Sequence, residues 1–102
     1  MNIQKIFFAL NNPYRLKIYE ICFKEKLNST QLSLKLGISY KSTFANVKIL
    51  EKAGMIEKKE RVVGNLREVI LTSIPFKKET IYEKVYKVFI KDLKENETKI
   101  SN

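Results

Sequence analysis

The chain is 102 residues long and 44% hydrophobic, which suffices for one modest core and leaves no room for a second. Its 20 Lys and Arg against 11 Asp and Glu leave +9 at neutral pH, favouring polyanionic partners; the cations are spread along the chain and not gathered on one helical face, which puts nucleic acid ahead of a membrane surface. Histidine is absent, Cys22 is the only cysteine, and there is no glycine-rich phosphate loop or carboxylate cluster at metal-ligand spacing, so the composition argues against an enzyme, a cofactor, a metal site and an internal disulfide.

Taken in chain order, Ile3, Ile6, Phe7 and Leu10 recur at helical spacing up to Asn11-Asn12-Pro13, where Asn12 can cap and Pro13 suits the first turn of a second helix. The apolar run Ile6 to Leu10 is too brief to span a membrane and no small-residue cleavage site follows it, which predicts a cytoplasmic chain. The second helix is expected from Pro13 to about Lys24. Its stripe of Leu16, Tyr19, Cys22 and Phe23, widened by Ile18 and Ile21, belongs at the centre of the core. After Lys24-Glu25-Lys26, the segment Asn28 to Gln31 offers capping side chains for a short helix marked by Leu32, Leu34 and Leu36 and stopped at Gly37. Ser39 can cap a fourth helix, on which Thr43, Val47 and Leu50 face inward and which Gly54 closes.

From Met55 to Thr72 the period changes. Val62-Val63 and Val69-Ile70-Leu71, around a Gly64-Asn65 tip, predict a β-hairpin. Pro75 ends it, and a last helix is expected from about Lys77 to Lys94, with Ile81, Val85 and Val88 beside Tyr82, Tyr86, Phe89 and Leu93. Residues 1–94 thus read as one domain and 95–102 as a polar, frayed tail. The predicted fold is mainly α with a small β-hairpin wing, in the order α-α-α-α-β-β-α.

A short helix, a glycine-containing turn and a second helix make a helix-turn-helix, whose second helix can enter the major groove of double-stranded DNA. With Thr43, Val47 and Leu50 inward, the outward candidates for base and phosphate contact are Ser39, Tyr40, Lys41, Ser42, Phe44, Ala45 and Lys48. Phe44 can equally complete the core or the contact with the hairpin. The wing adds Arg61, Gly64, Asn65 and Arg67, placed to follow phosphates or reach the minor groove, although the run Lys58 to Arg61 can also be a solvated strand face. Thr30 and Gln31, at the start of the first motif helix, can hold a phosphate or simply cap the helix. Residues 35–67 hold eight basic and three acidic residues, more than half of the net charge.

Three stretches, in order, carry a family likeness: Leu10-Asn11-Asn12-Pro13-Tyr14-Arg15-Leu16-Lys17-Ile18, Leu32-Ser33-Leu34-Lys35-Leu36-Gly37-Ile38-Ser39, and Val47-Lys48-Ile49-Leu50-Glu51-Lys52-Ala53-Gly54-Met55-Ile56. Together with the hairpin that follows, they resemble the winged helix-turn-helix regulators of the ArsR-like group over nearly all of residues 5–94. The resemblance implies a homodimeric transcriptional regulator paired through its first and last helices, with Ile3, Phe7, Ile81, Tyr82, Val85, Tyr86 and Phe89 as interface candidates. Thiolate-based metal sensing does not carry over, because one Cys and no His are present. Base preference does not carry over either, since Phe44, Ala45 and Asn46 stand where many relatives have Ser, a basic residue and His. Arg15 matches a characteristic position, but its role stays open between an ion pair and a contact with a neighbouring helix. Two other functions fit the same residues: a weakly selective architectural DNA-binding protein and a winged-helix module for a protein partner. The sequence shows no effector pocket and does not give the operator.

Overall fold

A computed structural model of the chain describes residues 3–76 and 81–100, without the side chains of Ile3, Ile81, Tyr82 and 98–100. Five helices and one antiparallel hairpin follow one another as α1 (Ile3–Leu10), α2 (Pro13–Lys24), α3 (Ser29–Leu36), α4 (Tyr40–Lys52), β1 (Ile56–Val63), β2 (Leu66–Ser73) and α5 (Ile81–Ile100), the order read from the sequence. This is a winged helix fold.

Local chemistry sets most boundaries. The Asn12 side chain accepts from the amides of Tyr14 at 2.9 Å and Arg15 at 3.1 Å, opening α2, while Pro13 supplies a first-turn residue that needs no hydrogen bond to its nitrogen. Asn28 and Gln31 form a reciprocal capping box at the start of α3, with bonds of 2.9 and 2.8 Å. The helix ends where Gly37 turns left-handed at φ 69° and donates to the Ser33 carbonyl at 2.9 Å, a conformation in which other residues are strained. Ser39 then caps α4 by accepting from the Ser42 amide at 3.0 Å. Val63 pairs with Leu66 across a two-residue turn, Gly64-Asn65, which fixes the register of the whole hairpin back to Ile56 opposite Ser73.

The core lies around α2, which buries Leu16, Ile18, Tyr19 and Cys22 against Ile6, Ala9 and Leu10 of α1, Val47 and Leu50 of α4, Leu71 of β2, and Ile90 and Leu93 of α5. Only the base of the hairpin joins this core. A bridge from the Leu71 amide to the Leu27 carbonyl at 2.9 Å and a bond from the Ile74 amide to the Met55 carbonyl at 2.8 Å hold it there, while everything from Glu57 to Val69 is exposed or half-buried.

Three details differ from the sequence reading. Leu34 is exposed and Phe23 largely so, because positions two apart on α3 cannot both face inward and Phe23 lies at the margin of the α2 stripe, edge-on to Tyr19 with ring centroids 4.7 Å apart. The expected start of the last helix near Lys77 lies outside the described residues. At its other end α5 continues past Lys94 to Ile100, where no stop signal intervenes and Lys17 meets Glu97 at 2.8 Å. No helix among the described residues is long and apolar enough to cross a membrane.

Candidate nucleic-acid interface

The motif helices pack as read: Thr43, Val47 and Leu50 are buried, and Ser39, Tyr40, Lys41, Ser42, Phe44, Ala45 and Lys48 are all exposed. Thr43 satisfies its hydroxyl on the Ser39 carbonyl at 3.0 Å, so a polar residue is tolerated inside. On the outer face, Tyr40 and Phe44 lie one turn apart with nearly parallel rings, their centroids separated by 6.2 Å. Phe44, 38% exposed, is flanked by two ammonium groups, Lys48 at 5.2 Å and Lys58 of β1 at 5.5 Å from its ring centre. Phe44 thus borders the hairpin through Lys58 while keeping an open face.

Charge is distributed unequally over this surface. Lys41, Lys48, Lys52 and Arg67 have no ion-pair partner among the described residues, whereas Lys58 lies 3.8 Å from Glu51 and Lys59 lies 3.3 Å from Glu57. Arg61 is tied down more firmly. Its Nε donates to Glu68 Oε2 at 2.8 Å, and Glu68 Oε1 accepts from the Asn28 side chain at 2.6 Å. These hydrogen bonds from Arg61 and Asn28 hold the Glu68 carboxyl below the usual carboxylate range. Arg61 is thus a strut joining both strands to the start of α3, and Arg67 is the freer of the two wing arginines. Asn65 and Gly64 are exposed at the tip.

Alternation along the strands sorts the wing into two faces. Lys58, Val62, Arg67 and Val69 share the face on which Lys58 meets α4, and Arg61, Val63, Leu66 and Glu68 share the other. Of the two candidates on α3, Thr30 is exposed with its carbonyl accepting from Ser33 Oγ at 3.0 Å, and Gln31 is exposed with its side-chain oxygen held in the capping box.

Arg15, left open by the sequence, is only 7% exposed and holds three elements together. Its Nε donates to the Ala9 carbonyl at 2.9 Å, Nη2 to the Phe8 carbonyl at 2.8 Å and Nη1 to Asn46 Oδ1 at 3.1 Å, closing the carboxyl end of α1 and anchoring the middle of α4. Asn46 is consequently a structural acceptor. A second hub is Tyr19. Its hydroxyl donates to the Ile74 carbonyl at 2.6 Å, its own carbonyl accepts from Ser73 Oγ at 2.6 Å, and its ring meets those of Tyr86 at 5.0 Å and Phe76 at 5.7 Å. Burial, with the nearby Glu20 charge, raises its hydroxyl pKa.

No family model and no curated protein matches the chain. Solved structures do, among them the transcriptional repressor BigR from Xylella fastidiosa, at TM-score 0.64 and 17% identity over 88% of this chain and 85% of that one, and a possible transcriptional regulator from Methanosarcina mazei, at TM-score 0.55 and 15% identity over 100% and 91%. The likeness is one of fold. Both neighbours share the winged helix architecture with this chain.

Of the interface candidates on the outer helices, Phe7 is exposed, Val85 and Phe89 are half-buried against the core, and Tyr86 donates to Glu20 while packing on Tyr19. The side chains of Ile3, Ile81 and Tyr82 lie outside the described residues. Phe8 and Val88, which are not among those interface candidates, add exposed apolar surface on α1 and α5. Among the described residues no three metal-ligating side chains cluster.

Proposed function

We propose that this protein binds double-stranded DNA as a homodimeric, sequence-specific transcriptional regulator of ArsR-like type, with α4 in the major groove and the wing along the backbone or in the minor groove. The observation that carries the reading is the outer face of α4. Lys41, Lys48 and Lys52 point outward without carboxylate partners among the described residues, in line with a wing whose Arg67 is also unpaired. Unpaired cations on a rigid helix are available to phosphates, and each one engaged releases condensed counterions. Ser42, Phe44 and Ala45 supply the short polar and apolar groups that read base edges and thymine methyls. The fold neighbours, a transcriptional repressor and a possible regulator, support a role of this class.

Dimer formation would use Phe7, Phe8 and Val88 together with the outer candidates of α5, a helix about 30 Å long at 1.5 Å per residue. A two-fold pair would set the recognition helices about 34 Å apart and require a pseudo-palindromic site. A cytoplasmic location follows from this function.

Fluorescence anisotropy tests the reading, with a labelled pseudo-palindrome selected from random DNA titrated against nonspecific duplex at several salt concentrations. A preference of about a thousandfold and a log-log salt slope of several units are expected. Tight binding without preference would make this an architectural protein. No binding at low salt would leave the surface to a protein partner.

A further inference from the structure

The wing ends in an apolar blade that the charge-based reading does not use. Val62, Val63 and Leu66 are 71%, 55% and 74% exposed, whereas the body of the hairpin between core and tip is polar apart from Val69. Branched apolar residues at the far end of a charged arm gain nothing from the distant core, and their exposure to water is unfavourable until something covers them. Their setting defines the cover. Val62 sits opposite Arg67 on the face that meets α4, and Val63 opposite Leu66 on the other face, so the blade straddles the Gly64-Asn65 turn. Asn65 at the apex carries an amide, and Arg67 stands one residue behind Leu66 with no ion-pair partner among the described residues.

A narrow leading turn, apolar flanks, one amide at the apex and a cation behind fit the minor groove of a duplex. Its walls are deoxyribose C–H surface, its floor offers N3 and O2 acceptors, and its rims are phosphates. We infer that the wing tip selects minor-groove composition by hydrophobic exclusion. Val63 and Leu66 pack on the sugar walls, the Asn65 amide donates to a floor acceptor, and the guanine N2 amino group is rejected because the apolar flanks strip its water and offer no acceptor in return. Arg67 anchors the approach on a phosphate without contributing to the choice. The flanks of the operator, read by the wing, would thus be discriminated by a property different from the base-edge readout of α4. This inference rests on the proposed DNA binding by α4.

Inosine separates the two. An I·C pair keeps the major-groove hydrogen-bonding face of G·C and lacks only the minor-groove amino group. One operator core is therefore flanked in turn by A·T, G·C and I·C pairs, and anisotropy is measured for the wild type, the double variant Val63→Ser/Leu66→Ser and Arg67→Ala. The wild type should bind the A·T and I·C flanks alike and the G·C flanks about tenfold more weakly, within the range of a single disfavoured pair. The double variant should lose that preference at an unchanged salt slope, and Arg67→Ala should keep the preference at a reduced slope. Both serines replace exposed residues of a paired hairpin, and far-ultraviolet circular dichroism verifies that the fold is retained. If the wild type binds the operator but treats G·C and I·C flanks equally, or if the double variant keeps the preference, the exclusion mechanism is wrong while the DNA-binding reading stands. If the wild type binds no duplex at all, both are wrong.

Discussion

Replacing Arg15 by Ala should be among the most destabilising substitutions in the molecule, although the residue is charged. The guanidinium makes three hydrogen bonds from a nearly buried position, two to the last carbonyls of α1 and one to Asn46 of α4, and it lies 5.0 Å from the centre of the Phe8 ring. Burial lowers its pKa from the ordinary arginine value, but an arginine stays cationic at neutral pH, so all three bonds are charge-assisted. A hydrogen bond to a charged group contributes about 1.5–3 kcal/mol, and the three share one donor group and are not additive, which sets the expected loss at about 3–5 kcal/mol. For a chain of this length a loss of 3 kcal/mol corresponds to roughly 14 °C in Tm. Calorimetry at fixed protein concentration measures it directly. Arg15→Lys should recover less than half, because one ammonium cannot fork between the α1 carbonyls and Asn46. A double-mutant cycle with Asn46→Ala isolates the bond to α4, with a coupling of about 1 kcal/mol expected. A fall in Tm under about 3 °C for Arg15→Ala would refute the account, since it would mean that water replaces all three bonds.

Three further outcomes are expected. Lys41→Ala should weaken duplex binding and change sequence preference, while Arg67→Ala should weaken it evenly and reduce the log-log salt slope by about 0.9; titrations over a range of salt separate the two, and unchanged binding in both would remove this face from the DNA. Glu68→Gln should change stability little, because its pair with Arg61 is solvent-accessible, and should raise duplex affinity a few-fold at low salt by removing a carboxylate from the wing and loosening Arg61; weaker binding would show that the strut matters more than the charge. Cys22 is buried, and that burial, with the Glu25 charge, pushes its thiol up from 9.0 to about 12. The folded chain therefore holds this proton where the unfolded chain releases it, so the contribution to stability is complete below pH 9 and is lost progressively between pH 9 and 12, by up to about 1.4 kcal/mol per pH unit. Denaturant melts at pH 8 and 10 should show that fall, and Cys22→Val should reduce it; Tyr19, raised in the same direction, acts at still higher pH.

What could be read from the sequence was local. Asn12, Asn28, Ser39 and Gly37 act on amides and carbonyls within four residues of themselves, so residue type alone announces the boundaries they make. The inward set of α4 followed from period, and the outward set from its complement. The strut between Arg61 and Glu68 is implicit in the sequence. Once Gly64-Asn65 is taken as a two-residue turn, its register places position 61 opposite 68 and 62 opposite 67, which separates the bound arginine from the free one. The same register would have shown Val63 beside Leu66 at the tip. Other links have no local signal. Arg15 to Asn46, Tyr19 to Ile74 and Tyr86 to Glu20 join residues far apart in the chain, and only the packing of α1, α4, α5 and β2 around α2 brings them within reach. The end of α5 escaped for another reason: a polar stretch without Gly or Pro is compatible with helix or coil until a partner such as Lys17 is known.

Those long-range bonds share one element. Through Arg15, α2 fixes the middle of α4; through the Tyr19 hydroxyl and carbonyl it fixes Ile74 and Ser73 at the root of the wing; and through Glu20 it fixes Tyr86 on α5. The two DNA-facing elements in the proposed function, and the helix proposed to pair with a second copy, are therefore all registered on the same helix, in addition to the direct contacts that Lys58 makes between the wing and α4. Rigid attachment to a common support is what a two-fold reader of fixed half-site spacing requires, because an error in either helix or wing would be doubled across the dimer axis. It also separates two kinds of variant. Changes at Arg15, Tyr19 or Glu20 should disturb stability and DNA affinity together, since the support moves with the site. Changes at Lys41, Lys48 or Arg67, none of which bonds to α2, should alter affinity at constant Tm.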